Sequence, residues 1–467
     1  MQQEPRAWID ALIDAGSFLP LDGSPTDPPV SGAGGEIVGG LAHVDGRGVV
    51  VYATDPRVSR GHIGARGAMR IRRLMDRAEE QGVPLVAFLA SPGIAVDEGL
   101  ASGEAYTRVI AANVRLSGVV PQLAAVMGPT MGAPAYSATL MDVVLFNRTR
   151  SHLMVTGPAV VEKMLGQTPT LADLGGAELH AGRTGIAQIV ERSAEEQIAS
   201  LRALLGFLPG NRIEDAPVAA SAEPIEELPA IPAEPMVPFD MAALIGAIVD
   251  GSRWLELGAA HGPSLITAFA RLAGAPVGLV ANQSTVAAGA ITADAARKAA
   301  RFIRLCDAFH IPIVTLIDVP GFMPGVAEES RGLLRHGAQM CMAMQTQVPR
   351  LSVVVRKCYG AAAFLMLQTR AQDGDVALAL EGSRIAVMGF DAARHLIYQE
   401  ETGAVSEGEL RRRYHDEHEA PARALAAGLV DEVLPAERLR ARLIEHLGWL
   451  RRKRDRAIDE RRRALWP

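Results

Sequence analysis

The sequence predicts an α/β protein built as a tandem repeat, with two units in which parallel strands alternate with helices. Three observations carry this expectation. Short apolar runs bounded by Gly and Pro alternate with helical patterns. The two halves of the chain match each other at a fixed offset. A stretch rich in proline and acid separates the halves.

QGVPLVAFLASPG (81–93) and FHIPIVTLIDVPG (309–321) align without gaps, with Pro84 over Pro312, Pro92 over Pro320 and Gly93 over Gly321, each 228 positions apart (321 − 93). At the same offset VVPQLAAVMGPTMGA (119–133) falls on QVPRLSVVVRKCYGA (347–361), which places Gly132 over Gly360 and Ala133 over Ala361. Upstream, with a shift of three, IRRLMD (71–76) matches FIRLCD (302–307), and downstream SHLMVTGPAVVEKML (151–165) echoes SRIAVMGFDAARHLI (383–397). A match that persists at one offset over about fifty residues marks a duplication.

In order, each unit reads as a helix (IRRLMD, FIRLCD), then a short apolar strand (PLVAFLA, PIVTLIDV) ended by a Pro-Gly turn. A helix and a second apolar strand follow (LAAVM, LSVVV), and a turn of small residues leads into another helix. A third strand and a Gly turn complete the unit. Near-continuous apolar strands alternating with helices argue for parallel sheets covered on both faces. Ligands of such sheets bind at the carboxyl ends of the strands, and the Gly-rich turns lie there in both halves.

The chain has 467 residues, too many for one core at roughly 150 to 200 residues per domain. Residues 213–238, IEDAPVAASAEPIEELPAIPAEPMVP, hold six prolines and six acids without a hydrophobic period and read as an extended linker. The expected domains are therefore 1–212 and 239–467. Hydrophobic residues at 49% and charged residues at 21% give a globular composition. Aromatics at 4% leave close backbone packing to do more than aromatic anchoring. A formal charge of −6 offers no basic footprint for nucleic acid, and the locally basic RRKRDRAIDERRR reads as a solvated helix. Cys306, Cys341 and Cys358 lack C-x-x-C spacing and read as reduced thiols of a cytoplasmic protein. The N-terminus has no basic segment followed by an apolar one, so no secretion signal is expected. No apolar run of about 18 residues suggests a membrane span.

The chemical question lies in KCYGAAAFL, where a strand gives way to a helix through small residues with no acid, base or nucleophile in the turn itself. Small residues at a helix start leave backbone N–H groups accessible, and those donors favour developing negative charge. A pair of them stabilises the oxyanion or enolate of a thioester carbonyl, each donor being worth on the order of 3 to 4 kcal/mol in the barrier. GPTMGAPAY repeats the feature in the first half. Two such holes suit transfer of a carboxyl group between two carbonyl-activated centres. Other motifs are weaker. GAGGEIVGG (32–40) has no preceding strand and no phosphate-loop Lys. His415 and His418 lie in a charge-dense helical pattern, which reads as a solvated face rather than a metal site, and no metal is expected. Ser91 and Ser137 are outside G-x-S-x-G and have no paired His. Asp97 and Glu98 are adjacent and read as structural.

ALIDAGSF, HVDGRGVVVYATD, ARGAMRIRRLMDRA, TGPAVVEKM and DLGGAELHA resemble the N-domain of biotin-dependent acyl-CoA carboxylase carboxyltransferase subunits. FDMAALIGAIVDGSRWLEL, PVGLVANQ, KAARFIRLCDAFHIPIVTLIDVPGFMPGVAEE, RHGAQM, VRKCYGAAA, IAVMG and GLVDEVLP resemble the C-domain. The likeness runs from about residue 8 to 450 and points to the β subunits of propionyl-CoA and acetyl-CoA carboxylases and to methylmalonyl-CoA decarboxylase carboxyltransferases.

That resemblance implies two tandem crotonase-like domains and a homo-oligomer, commonly a hexamer built as a trimer of dimers. It also implies an acyl-CoA or malonyl-type thioester bound on the first domain. Biotin would be the cofactor, brought as carboxybiotin on a separate carrier and biotin carboxylase (α) subunit, since the chain has neither an Ala-Met-Lys-Met site nor an ATP-grasp phosphate loop. The cofactor supplies the base, which fits a site without an obvious side-chain base. Carried over by position, the oxyanion pairs fall on Gly132 and Ala133 and on Ala361 and Ala362. Gly93, Ile94, Tyr136 and Phe364 fall on the thioester side, and Gly321, Phe322, Tyr359 and Gly360 on the biotin side. Some positions depart from the family. Ser-Gly-Gly-Ala-Arg is Ser91-Pro92-Gly93-Ile94-Ala95, which loses an N–H and an arginine, and the Tyr after the second pair is Ala363. Phe364 stands where the family sets acyl length; it favours a small or unusual acyl group, or else narrows the way in for biotin. Two other readings stay open, a biotin-independent decarboxylase of a malonyl-type thioester and a non-catalytic assembly subunit.

Overall fold

The computed structural model describes residues 4–21, 35–369, 374–401, 405–451 and 453. Residues 32–34 of the Gly-rich stretch and nearly all of the basic run after 451 lie outside the described residues. The chain divides into two compact units, the first ending at Pro217 and the second beginning at Val218.

In chain order the first unit runs α1 (Pro5–Leu12), β1 (Leu19–Pro20), β2 (Ile37–Val44), β3 (Arg47–Thr54), α2 (Ala65–Gln81), β4 (Leu85–Leu89) and α3 (Leu100–Leu116). It continues with β5 (Gln122–Val126), β6 (Pro129–Met131), α4 (Ala133–Leu140), β7 (Val143–Asn147), β8 (His152–Met154), α5 (Pro158–Leu165), α6 (Leu171–Gly175), β9 (Ile189–Glu191) and α7 (Ala194–Phe207). The main sheet has the order β1-β2-β3-β4-β5-β7-β9, and β6 and β8 form a separate parallel pair. LVAFL, QLAAV and VVLFN are buried at every position, as parallel strands covered on both faces must be. Ile71, Leu74 and Met75 of α2 and Val109 and Leu116 of α3 close one face of this core. The start of α2 takes its partners from carboxylates. Glu36 accepts the Gly64 N–H at 3.0 Å and Glu98 accepts the Ala65 N–H at 2.6 Å, so Glu98 has a structural job.

The second unit repeats this plan. It runs α8 (Met241–Ile248), β10 (Trp254–Glu256), β11 (Leu265–Leu272), β12 (Ala275–Asn282), α9 (Ala293–Ala308), β13 (Ile313–Val319), α10 (Val326–Ser330), α11 (Leu333–Ala343), β14 (Arg350–Tyr359) and α12 (Gly360–Leu367). Then come β15 (Val376–Leu380), β16 (Arg384–Ala386), α13 (Phe390–Ile397), α14 (Glu407–Tyr414), α15 (Pro421–Ala426), β17 (Glu432–Leu434) and α16 (Leu439–Leu450). The sheet order is β10-β11-β12-β13-β14-β15-β17, with β16 paired to the far end of β14. Residues 218–238 run along this second unit: Ala219 N–H donates to the Gly274 carbonyl at 3.0 Å, and Leu228 and Ile231 pack on its core.

Backbone peculiarities recur at the offset read from the sequence. Ser59, Arg60 and Gly61 have φ of 50°, 55° and 79°, and Ala287, Ala288 and Gly289 have 49°, 54° and 81°. Parallel bridges join Ile63 to Ile94 and Ile291 to Phe322, again 228 apart (322 − 94). Non-glycine residues at positive φ are uncommon, so their recurrence in pairs shows that two copies of one backbone device survive under different side chains.

Candidate functional site

In the first unit β4 runs into Ser91–Ala95 and β6 runs into Gly132. Ser91 links the two ends: its carbonyl accepts the Met131 N–H at 2.9 Å, and its hydroxyl donates to the Gly61 carbonyl at 2.6 Å. Gly93 takes φ 128° with its Cβ direction 3.7 Å from the Met131 carbonyl, a backbone state that favours glycine. The bridge to Ile63 uses the Gly93 carbonyl and the Ala95 N–H, each at 2.9 Å, and leaves the Ile94 N–H without an acceptor among the described residues. Gly132 precedes α4 with φ 64°, and its own N–H donates to the Met154 carbonyl at 3.1 Å. Ala133, the first residue of α4, has an N–H with no acceptor among the described residues. The free pair is therefore Ile94 and Ala133, and Gly132 supplies the turn.

The second unit builds the same site. Gly321 takes φ 145°, with no atom within 4 Å of where a Cβ would sit. Its carbonyl accepts the Ile291 N–H at 3.1 Å, and the Met323 N–H reaches Ile291 at 2.9 Å, so Phe322 is spared as Ile94 is. Val319 pairs with Cys358, which brings the turn holding Gly321 and Phe322 beside Tyr359 and Gly360. Gly360 opens α12 at φ 71°, and the Ala361 and Ala362 N–H groups have no acceptor among the described residues. Ala361 is exposed.

Side chains flank these donors at matching places. Tyr136, three residues after Ala133, is 52% exposed, and Phe364, three after Ala361, is partly buried. Residues three apart share a helix face, so each lies on the face of its helix that carries the donor residue. The Phe322 ring lies against Gly337 of α11. The buried Tyr359 hydroxyl donates to Glu419 at 2.9 Å, and Arg384 lies 3.6 Å from that carboxylate. The phenol is raised above its ordinary value by burial first and by Glu419 second.

Ser137 donates to the Asn113 side chain at 2.6 Å and is fully buried, so like Ser91 it is committed to internal bonding. His415 lies 3.8 Å from Glu419, and no group of three metal-ligating side chains occurs among the described residues. The face carrying the two histidines is only partly solvated, because Glu419 turns inward to Tyr359.

Sequence reasoning gave no role to one cluster. Asp318, at 0% exposure near the end of β13, accepts from Arg356 Nη2 at 3.0 Å and Nε at 3.1 Å and from Lys357 Nζ at 2.8 Å. The signal was present as RK inside the otherwise apolar VVVRKCY. Burial pulls the Lys357 ammonium below its ordinary value, and Asp318 opposes that shift. Elsewhere in the unit, Lys298 is buried, donates to the Gly258 carbonyl at 3.0 Å, and is pulled down to about 8 by desolvation against the attraction of Glu256.

The chain as a whole is similar to known proteins. Residues 3–465 match the family described as carboxyl transferase domain. The propionyl-CoA carboxylase beta chain of Saccharopolyspora erythraea is 36% identical over an alignment covering 96% of this chain and 88% of the relative. The methylmalonyl-CoA decarboxylase subunit alpha of Veillonella parvula is 36% identical, covering 96% and 90%. A crystal structure of transcarboxylase 12S, a hexamer with methylmalonyl-coenzyme A and methylmalonic acid bound, matches at TM-score 0.90 and 33% identity, covering 96% of this chain and 90% of that one. The two units have the crotonase-type fold of those carboxyltransferase domains. The chain belongs to the carboxyl transferase family of enzymes.

Proposed function

We propose that this protein moves a carboxyl group between biotin and a short-chain acyl or malonyl-type coenzyme A thioester. The observation that carries the reading is the duplication of one donor pair, Ile94 with Ala133 in the first unit and Phe322 with Ala361 in the second. In the first unit the two N–H groups hold the thioester carbonyl as it becomes an enolate. Donors aimed at that oxygen lower the barrier without reorganising. No side chain beside them has to move a proton.

The second unit suits biotin. Gly321 leaves open space where a side chain would stand, and two N–H groups without acceptors among the described residues match a carbonyl oxygen that accepts two hydrogen bonds. Gly321, Phe322, Tyr359, Gly360 and Ala361 are the residues that would hold it. When bound, biotin carries the carboxyl group and supplies the base. The chain itself contributes orientation, donors for developing charge, and the low dielectric of a buried strand end. Ala362 lies one place further along α12, within the same donor row.

The finer parts of the reading are a biotin carrier and biotin carboxylase on separate chains, a hexamer like that of transcarboxylase 12S, domains bounded near the 213–238 segment, and a cytoplasmic setting. Among the described residues no helix is long and apolar enough to cross a membrane. The test is to incubate methylmalonyl-CoA carrying an isotopically labelled carboxyl carbon with the protein, with and without free biotin. Label in carboxylated biotin supports the reading, and label released only as carbon dioxide in the absence of biotin contradicts it.

A further inference from the structure

The two donor pairs are alike in backbone, and the strand ends that present them make the same excursion, but the side chains that hold that excursion differ. In the first unit the strand breaks: β5 ends at Val126 and the chain resumes as β6 at Pro129. The first unit nonetheless takes up two extra residues there, since Leu89 stands opposite Val126 and the Met131 N–H returns to the Ser91 carbonyl. The second unit makes the same excursion within a β14 that runs unbroken from Arg350 to Tyr359. Its register with β13 passes from Ile317 opposite Val354 to Val319 opposite Cys358, so two extra residues are taken up on β14. A bulge bends a strand and re-aims the residues after it. In β14 those residues are Tyr359, Gly360 and the Ala361 donor.

Arg356 and Lys357 lie inside that bulge, and both turn onto Asp318. The Arg356 guanidinium also donates to the Val237 carbonyl at 2.7 Å and to Ser284 at 3.2 Å, so it is anchored three ways. Lys357 has Asp318 as its side-chain partner, and its backbone N–H approaches the same carboxylate at 3.4 Å. The positions equivalent at offset 228 in the first unit are Ala90, Gly128 and Pro129, none of which can make such a cluster. Asp318 itself stands three residues before Gly321 and four before Phe322. One carboxylate thus ties together the two chain ends that supply the donors of the second unit.

We propose that Lys357 is a positioning residue for the second donor pair: by clamping the bulged end of β14 to Asp318 it sets the Ala361 N–H beside the Phe322 N–H. The assignment rests on the carboxyl-transfer reading for its catalytic consequence, but its structural content stands apart from that reading. Two cations against one buried carboxylate also leave the cluster with a net positive charge at the root of α12. That sign favours an anion forming at the helix start.

Lys357→Met is the informative variant, because it leaves the Asp318–Arg356 pair in place and so does not strand a lone buried charge. Two readouts are taken from the full-length protein: amide hydrogen exchange at Cys358 and Tyr359, which the sheet pairs, and kcat and KM for methylmalonyl-CoA decarboxylation with free biotin. The expected result is exchange at least about tenfold faster at those two residues with the rest of the second unit still protected. With it, kcat falls roughly 10- to 100-fold at a KM changed less than about twofold. Lys357→Arg recovers most of both. Should Lys357→Met fail to fold, Lys357→Gln, which keeps a donor to Asp318, is read in its place and gives an intermediate result. Unchanged exchange at Cys358 and Tyr359 overturns the proposal, as does a loss of protection spread over the whole unit that Lys357→Arg does not reverse. If the wild type itself shows no biotin-dependent turnover, the functional reading falls, and the exchange comparison still decides the role of Lys357.

Discussion

Ile94 and Phe322 hold the same post in two copies of one backbone device: each is bridged in parallel, to Ile63 and Ile291 respectively, by bonds that use its neighbours and leave its own N–H without an acceptor among the described residues. Two residues with different side chains are placed alike because only their backbone is used. That explains how the sites diverge in sequence while keeping one chemistry.

Removing a donor without removing a helix is possible at Ala133. Proline is well accepted at the first helical position, so Ala133→Pro deletes the N–H and keeps α4. Steady-state kinetics are expected to show kcat reduced about 100- to 1000-fold, on the scale of one lost oxyanion donor, with propionyl-CoA binding by calorimetry largely retained. An unchanged kcat would remove Ala133 from the site.

Phe364 lies on the face of its helix that carries Ala361 and is partly buried. If its ring limits the acyl group, Phe364→Ile raises kcat/KM for propionyl-CoA relative to acetyl-CoA by about tenfold, the scale of one methylene in an apolar pocket. Equal changes for both thioesters would place the ring outside the acyl pocket.

Ser137 tests the difference between support and chemistry. Its bond to Asn113 continues to Gln122, whose carboxamide oxygen accepts from Asn113 at 2.9 Å. Ser137→Ala leaves a buried acceptor short of a donor and is expected to cost about 1 to 3 kcal/mol in urea denaturation. The kcat stays within about threefold of wild type, whereas a nucleophile would lose nearly all of it.

Lys298 sets a pH dependence. Its folded value of about 8 lies below the ordinary lysine value of 10.5, so between these two pH values the unfolded chain binds more protons and stability rises with pH. Relative to Lys298→Met, the wild type is expected to gain about 1 to 3 kcal/mol between pH 7.5 and pH 9.5. Denaturation midpoints of the two proteins at both pH values check this, and a falling difference would contradict the sign.

Much of the plan was legible in the sequence because duplication leaves an offset, and turns that need positive φ keep their glycines: Gly93 with Gly321, Gly132 with Gly360. The destinations of individual hydrogen bonds were not legible. Gly132 was expected to be half of a donor pair, yet its N–H is taken by Met154, a residue brought in by the β6–β8 pairing. Ile94 was expected on the thioester side, and its N–H, without an acceptor among the described residues, comes to light only from the bridge to Ile63. The Asp318 cluster was written as a basic pair in an apolar strand, but its partner lies 39 residues earlier for Lys357 and is joined through a bulge that no local pattern announces.

If two duplicated donor pairs support carboxyl transfer through biotin, loss of the carboxyl group must depend on that cofactor. The decisive experiment is mass-spectrometric turnover of methylmalonyl-CoA and malonyl-CoA by the purified protein, with and without free biotin. Carboxyl loss is expected only with biotin, and it is expected to fall sharply in Ala133→Pro. Loss at the same rate without biotin, or no loss under either condition, would contradict carboxyl transfer by this pair of sites.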